Sequence, residues 1–168
     1  MMALMRFRPA TAPDLPELVS VQEHGAVVAL SHIFPQDTHP FPRAAVLQRW
    51  RDELQNPSIA IYVSTDEAGH ITGFAARRHD ELLHFGTAIA TWGTGIATAF
   101  HDALIETYPP DLHRLWLRVF EANARARRFW EKTGWKPTSR KTRSTFAPYP
   151  VLVEYELRQR RGSSGATR

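Results

Sequence analysis

Gly93 and Gly95, one residue apart in Thr91-Trp92-Gly93-Thr94-Gly95-Ile96-Ala97, are the residues whose type and spacing most directly suggest chemistry. They sit between an apolar run, Leu82-Leu83-His84-Phe85-Gly86-Thr87, and residues at helical spacing, Ile96, Phe100, Ala103 and Leu104. That pattern predicts a strand, a glycine turn and a helix. Such a turn leaves backbone N–H groups without partners at a helix N-terminus, where the helix dipole is positive. A phosphate suits that place. A glycine pair before a helix is also an ordinary tight turn, so the rest of the chain decides between the two.

The elements around the turn follow from patterning. Phe7 to Ala10 reads as the end of a first strand, and Thr11-Ala12-Pro13-Asp14 has capping-box form. Leu15, Leu18, Val19 and Gln22 continue at helical spacing, predicting a helix from about 13 to 30. Residues 31–42 hold three prolines with His32, Phe34 and His39, which predicts an irregular, pocket-lining loop or a solvent loop with its aromatics tucked under. A second helix carries Val46, Leu47, Trp50 and Leu54. Strands at 59–64 and 70–78 flank an Asp66–Gly69 turn, and a third strand follows at 81–87. After the glycine turn and its helix come a strand at 115–120, a helix at 124–133 stopped by Gly134, and two final strands. The order predicts an α+β fold with a mixed sheet: hairpin-connected strands first, then a βαβ crossover.

At 168 residues and 43% hydrophobic, the chain has the size and apolar content for one self-sufficient domain. It has no cysteine, which excludes disulfides and thiolate chemistry and fits a cytoplasmic location. No apolar run reaches the ~20 residues of a membrane span, and the N-terminus lacks a signal-peptide cleavage pattern. The net charge of +4 lies in the last twelve residues, which carry four arginines and no acid. Without them, 17 basic and 17 acidic residues remain, so a nucleic-acid partner is not expected. Within the body, residues 91–113 contain no Lys or Arg, while 114–143 contain ten. The domain is expected over 1–158, with 159–168 a flexible basic tail.

Three local patterns together resemble the GNAT superfamily of acyl-CoA N-acetyltransferases, from about Phe7 to Leu157. The stretch Arg8-Pro9-Ala10-Thr11 through Asp14-Leu15 resembles the family's opening strand and helix. Trp92-Gly93-Thr94-Gly95-Ile96-Ala97 is similar to its Arg/Gln-x-x-Gly-x-Gly/Ala pyrophosphate loop. Val119, Asn123, Ala126 and Phe129-Trp130-Glu131-Lys132-Thr133-Gly134-Trp135 resemble its Asn-x-x-Ala-x-x-Phe-Tyr-Glu-Lys-x-Gly-Phe block. The resemblance implies a mixed, mostly antiparallel sheet of six to seven strands with about four helices, splayed between strands 81–87 and 115–120. It implies acetyl-CoA as acetyl donor in that opening, no metal, and a primary amine as acceptor, in a small molecule or a peptide. Many members form homodimers, so a second copy is a candidate partner.

By the same resemblance, the cofactor-binding residues are Thr87, Ala88, Ile89, Trp92, Gly93, Thr94, Gly95, Ile96, Ala97, Asn123, Arg127 and Trp130. Glu81 and His84 are the titratable residues on the strand where the family places its base. Three apart, they point to opposite faces of a regular strand, so at most one meets the acceptor unless a bulge intervenes. A backbone N–H near Thr87 or Ala88 would stabilise the oxyanion. His32, Phe34 and Tyr149 are the candidate acceptor-binding residues. Two departures stand out. Trp92 replaces the loop's usual Arg or Gln, which leaves Arg125, Arg127 and Arg128 as the cations available to the phosphates. Trp130 stands where a tyrosine often serves as general acid, and an indole N–H donates a hydrogen bond but no proton. These departures keep open a second reading, a CoA-binding GNAT-fold protein without catalysis.

Overall fold

The computed structural model describes residues 5–159. In chain order the elements are β1 (Arg6–Pro9), α1 (Leu15–Ala29), α2 (Arg43–Gln55), β2 (Ile59–Thr65), β3 (Ile71–Arg78), β4 (Glu81–Thr87), α3 (Ile96–Ile105), β5 (Arg114–Phe120), α4 (Ala124–Lys132), β6 (Lys136–Arg143) and β7 (Val151–Arg158). Short 3-10 turns cover Ala12–Asp14 and Ile89–Thr91. The α1 helix starts at Leu15 because Thr11–Asp14 closes a turn of its own. Thr11 N–H donates to Asp14 Oδ2 at 2.7 Å, and Arg8 grips the same carboxylate at 2.7 and 2.9 Å. The Pro-rich segment between α1 and α2 forms turns only.

The seven strands form one sheet in the order β1-β2-β3-β4-β5-β7-β6. Every neighbouring pair is antiparallel except β4 and β5, the pair joined by the α3 crossover. This is the expected α+β architecture with four helices and a splayed, mostly antiparallel sheet. The two faces bury separate cores. On one, α1 and α2 bring Leu15, Leu18, Val19, Val46 and Trp50 onto Ile61, Val63, Phe74 and Ala76. On the other, Phe100, Leu104, Tyr108, Trp130 and Trp135 pack against Ala75, Leu82, Leu115, Leu117 and Tyr155. Gln159 still bonds to the backbone carbonyls of His113 and Leu112, at 2.8 and 3.2 Å. Residues 160–168, the rest of the expected tail, lie outside the described residues.

Gly86 on β4 shows how tightly the first core is set. A Cβ there would lie 2.4 Å from Cζ of Phe74, whose ring is itself buried against Trp50. Overpacking of this kind costs about 1–3 kcal/mol. Gly86→Ala is therefore expected to lower the urea midpoint with an unchanged slope.

Candidate active site

The β4–β5 ladder is short. Only Glu81↔Trp116 and Leu82↔Leu117 pair, with Trp116 N–H donating to Asp80 O at 3.0 Å. Beyond Leu82 and Leu117 the strands part. An aromatic wedge fills the gap from one face: Phe85 on β4 stacks on Phe129 of α4 at 5.5 Å and meets Trp130 edge-on at 5.1 Å. Trp130 is buried among Phe85, His101 and Trp135. On β4, Ala88 N–H is taken by Thr72 O at 2.8 Å. Antiparallel alternation then turns the N–H groups of His84 and Gly86 toward β3, and those of Phe85 and Thr87 toward the gap. Of the two amides considered for an oxyanion, Thr87's is the one aimed into the opening.

The loop after β4 is a row of donors. Trp92 N–H and Thr94 N–H close turns onto Ile89 O and Thr91 O, at 3.0 and 3.2 Å. Gly93 and Gly95 both adopt positive φ, at 77° and 88°, which favours glycine. Among the described residues, the N–H groups of Gly93, Gly95, Ala97 and Thr98 have no hydrogen-bond partner, and Ile96 has only Thr94 Oγ1 at 3.4 Å. Helix α3 therefore begins with bare, outward-facing amides, the arrangement that binds anions. The cation comes from a different helix. The Arg125 guanidinium of α4 lies over the Trp92 ring, 3.3 Å from its centroid, while Trp92 Nε1 donates to Thr87 O at 3.1 Å. Arg127 instead donates to Tyr155 Oη at 2.9 Å and to Glu121 O at 3.1 Å. Asn123 caps α4, its side chain accepting from Ala126 N–H at 3.2 Å.

The β4 strand carries a bulge, and it changes the geometry expected of Glu81 and His84. Leu82 pairs with Arg77 and His84 with Ala76, so Leu83 is an extra residue. Glu81 pairs with Arg78 and His84 with Ala76, and positions 78 and 76 of β3 share a face. The two titratable residues therefore lie on one face, where a regular strand would separate them. Their surroundings differ. Glu81 is buried at the closed end of the gap, 3.1 Å from Arg78 and 3.8 Å from Arg118. His84 lies further along, its ring 4.9 Å from that of Trp50, with Nε2 3.0 Å from both carboxylate oxygens of Glu53. A carboxylate only accepts, so Nε2 carries the proton and Nδ1 keeps a lone pair. Burial holds the His84 imidazole below its ordinary range, against the opposing pull of Glu53. Arg49 lies 3.8 Å behind Glu53.

Glu53 is the functional candidate that sequence reasoning missed. The signal was a carboxylate three residues after Trp50, on the buried stripe of an amphipathic helix. On the same sheet face, the loop between α1 and α2 crosses to the end of β5. His32 Nε2 lies 2.8 Å from Ala122 O, and Phe34 meets Phe120 edge-on at 5.4 Å. Tyr149, exposed in the β6–β7 connection, is not brought to that loop by any contact among the described residues.

A splayed sheet with a bare glycine-loop helix N-terminus at its mouth defines the fold class of acyl-CoA-dependent N-acetyltransferases. Residues 5–136 match the family model described as an acetyltransferase (GNAT) domain, and the chain belongs to that family. Members of the family transfer acetyl groups from acetyl-CoA. Among solved structures, a GCN5-related N-acetyltransferase from Rhodopseudomonas palustris is similar at a TM-score of 0.78 and 14% identity, covering 95% of this chain and 98% of that one. Apo-form YjaB from Escherichia coli gives 0.72 at 19% identity, over 92% and 97%. The spermidine N-acetyltransferase of Vibrio cholerae, in complex with CoA and spermine, gives 0.66 at 16%, over 92% and 95%. At these identities the likeness is one of fold. No curated protein matches the chain. Among the described residues, no helix is long and apolar enough to cross a membrane, and no group of three or more His, Asp or Glu is placed to hold a metal ion.

Two histidines are built into this region neutral. His101 is buried beside α4, its Nε2 accepting from Trp135 Nε1 at 3.0 Å and its Nδ1 2.9 Å from Asp102. Burial lowers its pKa, as it does that of His84. A group with a depressed folded pKa stabilises above its unfolded pKa, ~6.5 for histidine, and that stability is lost as pH falls through the folded value. Thermal midpoints are therefore expected to fall on acidification from pH 7.5 toward 5, and His84→Gln is expected to flatten part of that slope.

Proposed function

We propose that this chain transfers the acetyl group of acetyl-CoA to a primary amine by direct attack within a ternary complex. The observation that carries the reading is the convergence on β4: the bare amides of the glycine loop follow directly from the strand that bears both the open Thr87 N–H and His84, the residue that Glu53 of α2 meets. The amides of Gly93, Gly95, Ile96 and Ala97 hold the pyrophosphate, and Arg125 supplies the positive charge that the loop lacks. The unpaired edge of β4 offers amides to the pantetheine arm. Acetyl-CoA contributes an activated carbonyl and a thiol leaving group whose ordinary pKa of ~8.5 needs no general acid. Thr87 N–H donates to the carbonyl oxygen as negative charge develops there. His84 Nδ1 takes the proton of the attacking amine, directly or through a water, and Glu53 fixes the tautomer by holding Nε2–H. Glu81, packed between two arginines, keeps the closed end of the gap in place.

The His84–Glu53 pair beside the opening supports transfer over a CoA-binding protein without catalysis. Spermine in the Vibrio cholerae neighbour supports an amine acceptor in this fold.

Gly95→Asp, which places a side chain and negative charge at a residue with φ of 88°, is expected to abolish CoA binding in calorimetry. Retained affinity would place the cofactor elsewhere. In thiol-release assays on an amine panel, His84→Gln is expected to lower kcat by about 10²–10⁴-fold. Glu53 raises the pKa of His84, so Glu53→Gln is expected to move the acid limb of kcat to lower pH. An unmoved limb would remove this pair from the mechanism.

A further inference from the structure

The face of the sheet that carries His84 continues past the gap onto β5, β7 and β6. The helices α1 and α2 lie over the other half, and Arg118, Arg140 and Thr142 are exposed. Trp116, Arg118, Arg140, Thr142 and Glu154 line a cavity of about 170 Å³ there. Its charges are unevenly matched. Glu154 is already bonded to Arg114 at 3.2 Å and to Thr138 at 2.8 Å. Among the described residues, Arg118 has one ion pair, to Glu81 at 3.8 Å, a carboxylate that is nearer Arg78, and its guanidinium lies 5.9 Å from the centroid of the Trp116 ring. The Arg140 guanidinium has no ion pair or hydrogen bond among the described residues. A guanidinium has five donors in a planar fork suited to a carboxylate. The cavity therefore holds two guanidiniums with donors to spare beside an indole wall. Arg118 precedes Phe120 by two residues, roughly 7 Å along a strand. Phe120 is the residue that Phe34 covers at the acceptor side of the gap.

We propose that this cavity recognises an anionic group on the acceptor: the substrate amine carries a carboxylate several bonds from its nitrogen, and Arg118 and Arg140 bind it. The proposal rests on the acetyl-transfer reading above and narrows its acceptor class. A polyamine would place positive charge against both arginines, and an amine with a neutral far end would leave their donors unused.

The test uses the full chain with 6-aminohexanoate, 6-aminohexanamide and spermidine, in thiol-release assays and in calorimetry on the CoA-saturated protein. The carboxylate is expected to be preferred over its amide by about tenfold or more in kcat/KM, the scale of one charge-assisted hydrogen bond. Spermidine is expected to be poorest, and the preference to shrink with added salt. Arg140 is exposed, so Arg140→Glu is expected to fold with an unchanged thermal midpoint and to erase the carboxylate-to-amide ratio. Arg140→Lys should restore part of it. Equal handling of carboxylate and amide, a ratio unmoved by Arg140→Glu, or a dimer in sedimentation that Arg140→Glu dissolves would each overturn the proposal. Carboxylate binding lost in Arg140→Glu without any thiol release would keep the anion site and instead sink the catalytic reading.

Discussion

Backbone amides that lose a sheet partner must be satisfied by something else, and in this chain that requirement falls on the ends of β4 and β5. Their ladder stops after two residue pairs. An unpartnered, buried amide costs about 1–3 kcal/mol, so the gap persists only if water or a ligand reaches it. Two devices hold it open. The extra residue Leu83 kinks β4, and the rings of Phe129 and Trp130 lodge against Phe85 where a continued ladder would draw the strands together. On the opposite face, Phe34 and His32 tie the loop between α1 and α2 to the end of β5, so the opening is braced from both sides.

Trp92 fits the same logic. A charged residue in the loop would bring its cation by local sequence. This loop instead presents an indole, anchored by its N–H to Thr87 O, as a platform for Arg125. A cation–π contact contributes about 0.5–2 kcal/mol, depending on exposure. It spans the mouth of the gap, from the β4 side to α4, so the two elements that flank the opening are coupled through one stacked pair. The positive charge beside the bare amides of α3 thus depends on the packing of α4, whose aromatic residues also form the wedge.

What was legible in the sequence was what is locally encoded. The glycine turn, the helix after it and the strand before it each have a short-range signature, and their order implied the parallel crossover at which the sheet parts. What depends on packing between distant elements was not legible. Arg125 and Arg127 are two residues apart on a helix, hence on different faces, and only the position of α4 against the loop brings Arg125 onto the Trp92 ring. Asn123 stands in a family motif, and its sequence position does not reveal that its side chain accepts from Ala126 N–H in the first turn of its own helix. Glu53 is 31 residues from His84 and meets it through the packing of α2 on the sheet. The bulge at Leu83 has no distinguishing residue type, since a leucine suits a regular strand equally well.

That one-residue insertion has a chemical consequence. On a regular strand, Glu81 and His84 would be divided between the two cores, and one of them would lie away from the face that α1 and α2 cover. The bulge puts both on the same face and separates them along the strand. Glu81 falls where β4 and β5 are still paired, and two arginines enclose it. His84 falls where the strands have parted, with a carboxylate on one ring nitrogen and a lone pair on the other. The enclosed carboxylate is held in two ion pairs, and the imidazole beyond it keeps the lone pair that the proposed transfer uses. The bulge where the sheet parts is thus the same irregularity that puts the two titratable side chains on one face, one ion-paired at the closed end and the other beyond it.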